Sequence, residues 1–193
     1  MSTLKAGLVA SALKELSLHV VEEGGPNRGV KVEAYQRAAG LKPGDPWCAA
    51  FVAWNVATAK GVAKAPSWTS GSAITTWHRG SRGLAAGDKA TPLEGDALPA
   101  KVAPGGVWVR ATTAKSADAA RKGGWVRGHC GIVVAVDAVG FHTVEGNTNK
   151  AGSREGDGVW RKLHKWSDAA LMGRTVGWFD PDATEAAAAA PKA

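Results

Sequence analysis

Residues 49–54, Ala-Ala-Phe-Val-Ala-Trp, are apolar on every face a helix could present, and no other segment constrains the chain as much. A helix without a polar face has to be buried. Its approach, Pro43-Gly44-Asp45-Pro46-Trp47-Cys48, supplies a turn, then Asp45 as an N-cap and Pro46 at the first helical position. The pattern predicts a helix running to Lys60 with Cys48 in its first turn. Unpaired backbone N–H groups and the helix dipole at that end favour a thiolate over a thiol. Taken alone, a buried helical cysteine is usually just a small apolar side chain.

Leu4, Leu8, Ala12, Leu16 and Val20 recur every four residues, which predicts an amphipathic helix over 3–22. The same stretch has one basic residue, Lys5, before a short apolar run, a poor match to a signal peptide. A second helix is expected over 30–39 and a short one over 70–79, with loop over 80–105. Strands are expected at 106–110, 130–136, 140–145, 158–164 and 174–179, with a loop or short helix over 111–127. Residues 182–193, largely alanine, read as a disordered Ala/Pro tail after a single domain over 1–181. Helices first and strands afterwards predict an α+β fold with an antiparallel sheet.

His129 opens one apolar strand, and a second, Phe141-His142-Thr143-Val144-Glu145, follows after a short connection. Paired as a hairpin, they return Glu145 and Asn147 to the end where His129 lies. An imidazole acting as a base needs such an orienting group on its far nitrogen. Read without Cys48, Glu145-Gly146-Asn147-Thr148-Asn149 is more simply a polar turn. Cys130, adjacent to His129 on a strand, is expected to face the other way and serve the core. His19, His78, His142 and His164 show no partner pattern and are read as structural. Of the nine tryptophans, Trp47 and Trp77 are candidates to line a substrate groove.

Two cysteines make no disulfide framework, and neither lies in a metal-binding pair, so no metal or cofactor is expected. The net charge of +7 favours anionic partners, but the basic residues are scattered. That speaks for a diffuse field and against nucleic acid as partner. No apolar run reaches membrane-spanning length, so stable membrane insertion is not expected.

Together these motifs resemble a known family. Pro46-Trp47-Cys48-Ala49-Ala50-Phe51-Val52-Ala53-Trp54 resembles the nucleophile helix of CHAP-domain peptidoglycan hydrolases, the cysteine, histidine-dependent amidohydrolases/peptidases related in fold to NlpC/P60 and papain. Gly128-His129-Cys130-Gly131-Ile132-Val133-Val134 resembles their histidine strand, with Cys130 in place of the usual valine. Val144-Glu145-Gly146-Asn147-Thr148-Asn149 resembles the segment that follows it. The resemblance runs from Glu23 to Pro181 and implies a papain-like α+β fold. It implies Cys48 as nucleophile, His129 as general base, Glu145 as the residue orienting it, and Asn147 as a fourth polar position. Leu41-Lys42-Pro43-Gly44-Asp45 lacks the acidic calcium loop of some members. The implied activity is cleavage of an amide in cell-wall peptidoglycan, either as N-acetylmuramoyl-L-alanine amidase or as endopeptidase. The expected context is a monomer made in the cytoplasm that acts on the wall after release, as a phage or prophage endolysin. The alternatives are an interbacterial effector with an immunity protein as partner, and a catalytically inactive wall-binding module.

Overall fold

A computed structural model describes residues 3–81, 102–149 and 156–189. The element order is α1 (Leu4–Ser17), α2 (Val30–Ala38), α3 (Cys48–Lys60), α4 (Ala73–Ser81), β1 (Val107–Ala111), α5 (Ala114–Arg121), β2 (Gly128–Val136), β3 (Gly140–Thr148), β4 (Gly158–Lys165), α6 (Ala169–Arg174), β5 (Thr175–Phe179) and α7 (Pro181–Ala189). The five strands form one sheet in the order β4-β3-β2-β1-β5, and every neighbouring pair is antiparallel. The expected α+β class with an antiparallel sheet is the observed one. No helix among the described residues is long and apolar enough to cross a membrane.

The apolar segment forms the body of α3, and Ala49, Ala50, Phe51, Val52, Ala53 and Val56 are buried, as its composition requires. α3 packs against α1 and α2 on one side and against β2 and β3 on the other. Leu8 and Ala12 of α1, Val32 and Tyr35 of α2, and Cys130, Ile132 and Val144 of the sheet join it in the main core. Polar bonds tie the helices together inside that core. Ser11 Oγ donates to Asn55 Oδ1 at 2.7 Å, and Asn55 Nδ2 donates to the Phe51 carbonyl at 2.8 Å. Tyr35 donates to the Glu15 carboxylate at 2.5 Å, and Lys31 donates to the other oxygen of Glu15 at 2.9 Å. A buried carboxylate needs partners of this kind. A second, smaller core holds Trp108, Val133, Phe141 and Leu171, with Trp166 and Trp178 packed against it.

Several boundaries differ from expectation. α1 ends at Ser17 and not at residue 22: His19 takes a positive φ of 50°, and Val21 then bridges to Gly158 of β4. Tertiary pairing therefore overrides a helical periodicity that Val20 appeared to continue. α3 begins at Cys48 with Trp47 as its N-cap, so Asp45 is not the cap. The Asp45 side chain instead accepts from the Lys42 backbone N–H at 2.9 Å and closes the preceding turn. Of the expected loop over 80–105, residues 82–101 lie outside the described residues. The expected disordered tail begins as helix α7, and only residues 190–193 lie outside the described residues. Thr184 is buried and donates to the Gly80 carbonyl at 2.8 Å, while Glu185 accepts from Trp68 Nε1 at 2.7 Å and pairs with Lys60. Alanine is the strongest helix former, so an alanine run with two anchored polar residues docks as a helix.

Candidate functional site

Cys48 is the first helical residue of α3, where the first backbone N–H groups have no intrahelical acceptor. It lines the same cleft as His129, and Cys130 and His129 are the neighbours that act on its thiol. His129 is the second residue of β2, and its Nε2 lies 2.8 Å from Glu145 Oε2 on β3. All three are buried. The register explains the meeting of His129 and Glu145. Ile132 pairs with Val144 and Val133 with Thr143, so continuing the antiparallel ladder carries β3 back toward the start of β2.

Two glycines in the motifs make this possible. A Cβ at Gly131 would lie 2.6 Å from Glu145 Cγ, so the missing side chain is the space the carboxylate arm occupies. A Cβ at Gly146 would lie 2.6 Å from both Phe51 Cβ and Trp47 Cζ3, so glycine there lets α3 seat against β3. Asn147 adopts a φ of 55°, a left-handed conformation that asparagine tolerates better than most residues. It lines the same cleft as Cys48 and His129.

The electrostatics favour an ion pair. The hydrogen bond from the Cys130 side chain outweighs burial, and with the bond and charge of His129 it holds the Cys48 thiol well below its ordinary range. Burial pushes His129 down, but Cys48 and Glu145 together raise it from 6.5 to about 9. Burial likewise opposes ionisation of Glu145, and His129 and His164 overcome it and hold the carboxyl well below its usual range. An ionised carboxylate only accepts, so His129 Nε2 is the donor in that contact, which leaves Nδ1 for Cys48. Cys130, a free thiol that donates a hydrogen bond toward Cys48 and is buried, is raised well above the ordinary thiol range. Of the two sulfurs, Cys48 is the one to carry the negative charge.

The cleft over Cys48 has a volume of about 770 Å³. Pro26, Ser72, Trp125 and Arg127 line it, with the carboxylate residues Glu22 and Asp157. Trp47 and Trp77, expected in this wall, are not among its lining residues. Trp47 is fully buried, stacks on Tyr35 at 5.6 Å and donates from Nε1 to Glu22 at 2.8 Å. Trp77 is 4% exposed and packs edge-on against Phe179. Both sit beside apolar helix faces that need covering, which is why they point inward. The aromatic at the cleft is Trp125, 73% exposed. It stands three residues before Gly128, a position that no periodicity singles out.

The structure adds other residues to the site. Cys130 lies in the main core, as strand alternation predicts, and it also acts on the Cys48 thiol, which the sequence did not indicate. His164, expected to be merely structural, lies with Nε2 2.6 Å from Glu145 Oε1. Thr143 also donates to Oε1. Arg110 pairs across the sheet with His129, and Glu145 and Cys48 favour its charge while burial opposes it more strongly. His142 is elsewhere, 3.2 Å from Asp137, and His78 Nε2 lies 2.8 Å from the Ala120 carbonyl. Among the described residues, no cluster of three or more His, Cys, Asp or Glu side chains is placed to hold a metal ion.

Comparison of the chain with models of known protein families, with curated proteins and with solved structures finds no match.

Proposed function

We propose that the protein is a cysteine amidase or peptidase of the papain-like CHAP type that cleaves an amide in the peptide part of peptidoglycan. The observation that carries this reading is the convergence of Cys48, His129 and Glu145. A sulfur at a helix N-terminus shares a cleft with an imidazole that acts on its thiol and whose Nε2 is 2.8 Å from an ionised carboxylate. That arrangement suits nucleophilic acyl transfer. The choice of peptidoglycan rests on the order of the three sequence motifs, and the basic net charge suits an acidic envelope.

In the proposed reaction the Cys48 thiolate attacks the scissile carbonyl. The tetrahedral oxyanion lies against the unpaired N–H groups at the start of α3. The imidazolium of His129 gives its Nδ1 proton to the departing amine as the C–N bond breaks. His129, now neutral, takes a proton from water as it attacks the thioester, and the acid leaves with Cys48 restored as thiolate. Glu145 stays ionised and keeps Nδ1 aimed at sulfur throughout. Asn147, at the cleft wall, is placed to contact the substrate peptide.

The test is digestion of purified peptidoglycan, with mass spectrometry of the released fragments. Parent protein should generate new amino termini, and Cys48→Ala should lose about 10³-fold or more of that activity with an unchanged circular dichroism spectrum. Binding to the wall with no cleavage by the parent protein would show a binding module in place of an enzyme. Cleavage surviving in Cys48→Ala would remove Cys48 from the chemistry.

A further inference from the structure

The Glu145 carboxylate serves two imidazoles. Oε2 lies 2.8 Å from His129 Nε2, and Oε1 lies 2.6 Å from His164 Nε2. His164 is on β4, the strand beyond β3, and is held tightly. Its ring centroid lies 4.3 Å from that of Trp108 and 4.9 Å from that of Phe141. Its Nε2 is also 2.9 Å from Thr143 Oγ1, and the Thr143 hydroxyl itself donates to Glu145 Oε1. The hydrogen-bond bookkeeping then has one solution. Glu145 is acceptor-only, and the single Thr143 proton goes to Oε1, so His164 must carry its proton on Nε2 and share it between Oε1 and Oγ1.

From this we propose that His164 is a positioning residue for the reaction: it and Thr143 saturate Glu145 Oε1, so that Oε2 alone faces His129 and holds its Nδ1 toward Cys48. The inference rests on the acyl-transfer reading of the site. A carboxylate on a flexible arm could otherwise rotate and leave His129. Packing against Trp108 and Phe141 alone would not call for a polar ring, since a phenyl ring would serve there. The other ionisable groups interacting with Glu145 are Arg110 from β1, and Cys130 and His129 from β2. Cys48 acts from α3 through His129 and Cys130.

The experiment has a part that needs no variant and no substrate. Nitrogen-15 NMR of the full chain reads the tautomer of each imidazole. His164 should hold its proton on Nε2, and a proton on Nδ1 alone would overturn the proposal. The second part is the pH profile of Cys48 alkylation by iodoacetamide. His164→Phe should shift the thiolate midpoint upward by about one pH unit, with roughly tenfold slower alkylation below it. His164→Gln, which keeps a donor, should restore most of the difference. An unchanged profile in folded His164→Phe would also overturn the proposal. If that variant does not fold, Thr143→Val, which removes the other donor to Oε1, carries the comparison, and an unchanged profile in it would refute the proposal. Alkylation and NMR do not depend on the wall, so failure of the parent protein to cleave peptidoglycan would count against the function and leave this result standing.

Discussion

His129 Nε2 stands 2.8 Å from Glu145 Oε2, and Cys48, in the same cleft, acts on the same imidazole. The carboxylate therefore assigns one nitrogen to itself and the other to sulfur. Both contacts favour the protonated ring, and the ring in turn favours the thiolate.

That coupling predicts a pH window. Cys48 is lowered well below 9.0 and His129 is raised to about 9, so the ion pair exists between the two transitions. Cleavage and Cys48 alkylation should rise as the thiol ionises on the acid side. Cleavage should then fall as His129 loses its proton above about 9. The stability signs follow. His129 is raised in the fold, so its contribution is complete below pH 6.5 and disappears as pH rises through about 9. Cys48 is depressed, so its contribution is complete above pH 9.0 and disappears as pH falls through its lowered folded value. Rate profiles and urea midpoints across pH check both. A cleavage rate still climbing well above pH 9 would contradict the pairing.

Cys130 supplies the largest influence lowering the Cys48 thiol. Cys130→Val removes that donor and keeps a buried side chain of similar size. Alkylation of Cys48 at neutral pH should slow by about tenfold, while stability changes by less than about 1.5 kcal/mol. An unaltered alkylation rate would assign the thiolate to His129 and the helix N-terminus alone.

Gly131 leaves the space in which Glu145 lies. Gly131→Ala would place a Cβ 2.6 Å from Glu145 Cγ. The carboxylate must move, and a displacement near 1 Å in such a site costs on the order of 100-fold in rate. The overpacking itself should cost about 1–3 kcal/mol in stability. Steady-state kinetics beside thermal denaturation would separate the two effects, and full activity would show that Glu145 need not sit where it does.

Trp125 is exposed at the cleft and covers no core. Trp125→Ala should leave stability within about 0.5 kcal/mol. Loss of an aromatic contact should raise KM about threefold to tenfold with kcat preserved. A fall in kcat alone would place Trp125 in the chemistry and not in binding.

What the sequence by itself determined is what depends on local pattern. The all-apolar run of α3 demanded burial and put Cys48 at a helix start. The alternating segments around Asp137–Gly140 demanded a hairpin, and its register returned Glu145 to His129. Only the tertiary structure decided what depends on contacts between distant segments. Val20 and Val21 left the helical pattern to bond β4, and the alanine run of α7 docked through Thr184 and Glu185. Trp47 turned inward to Tyr35, and Trp125 remained at the cleft. Cys130 and His164 joined the site for the same reason. Strand alternation assigns each residue a face but not what covers that face. α3 packs on the face that holds Cys130, and the His164 side chain comes to Glu145 from the neighbouring strand β4, both across separations that local pattern does not encode.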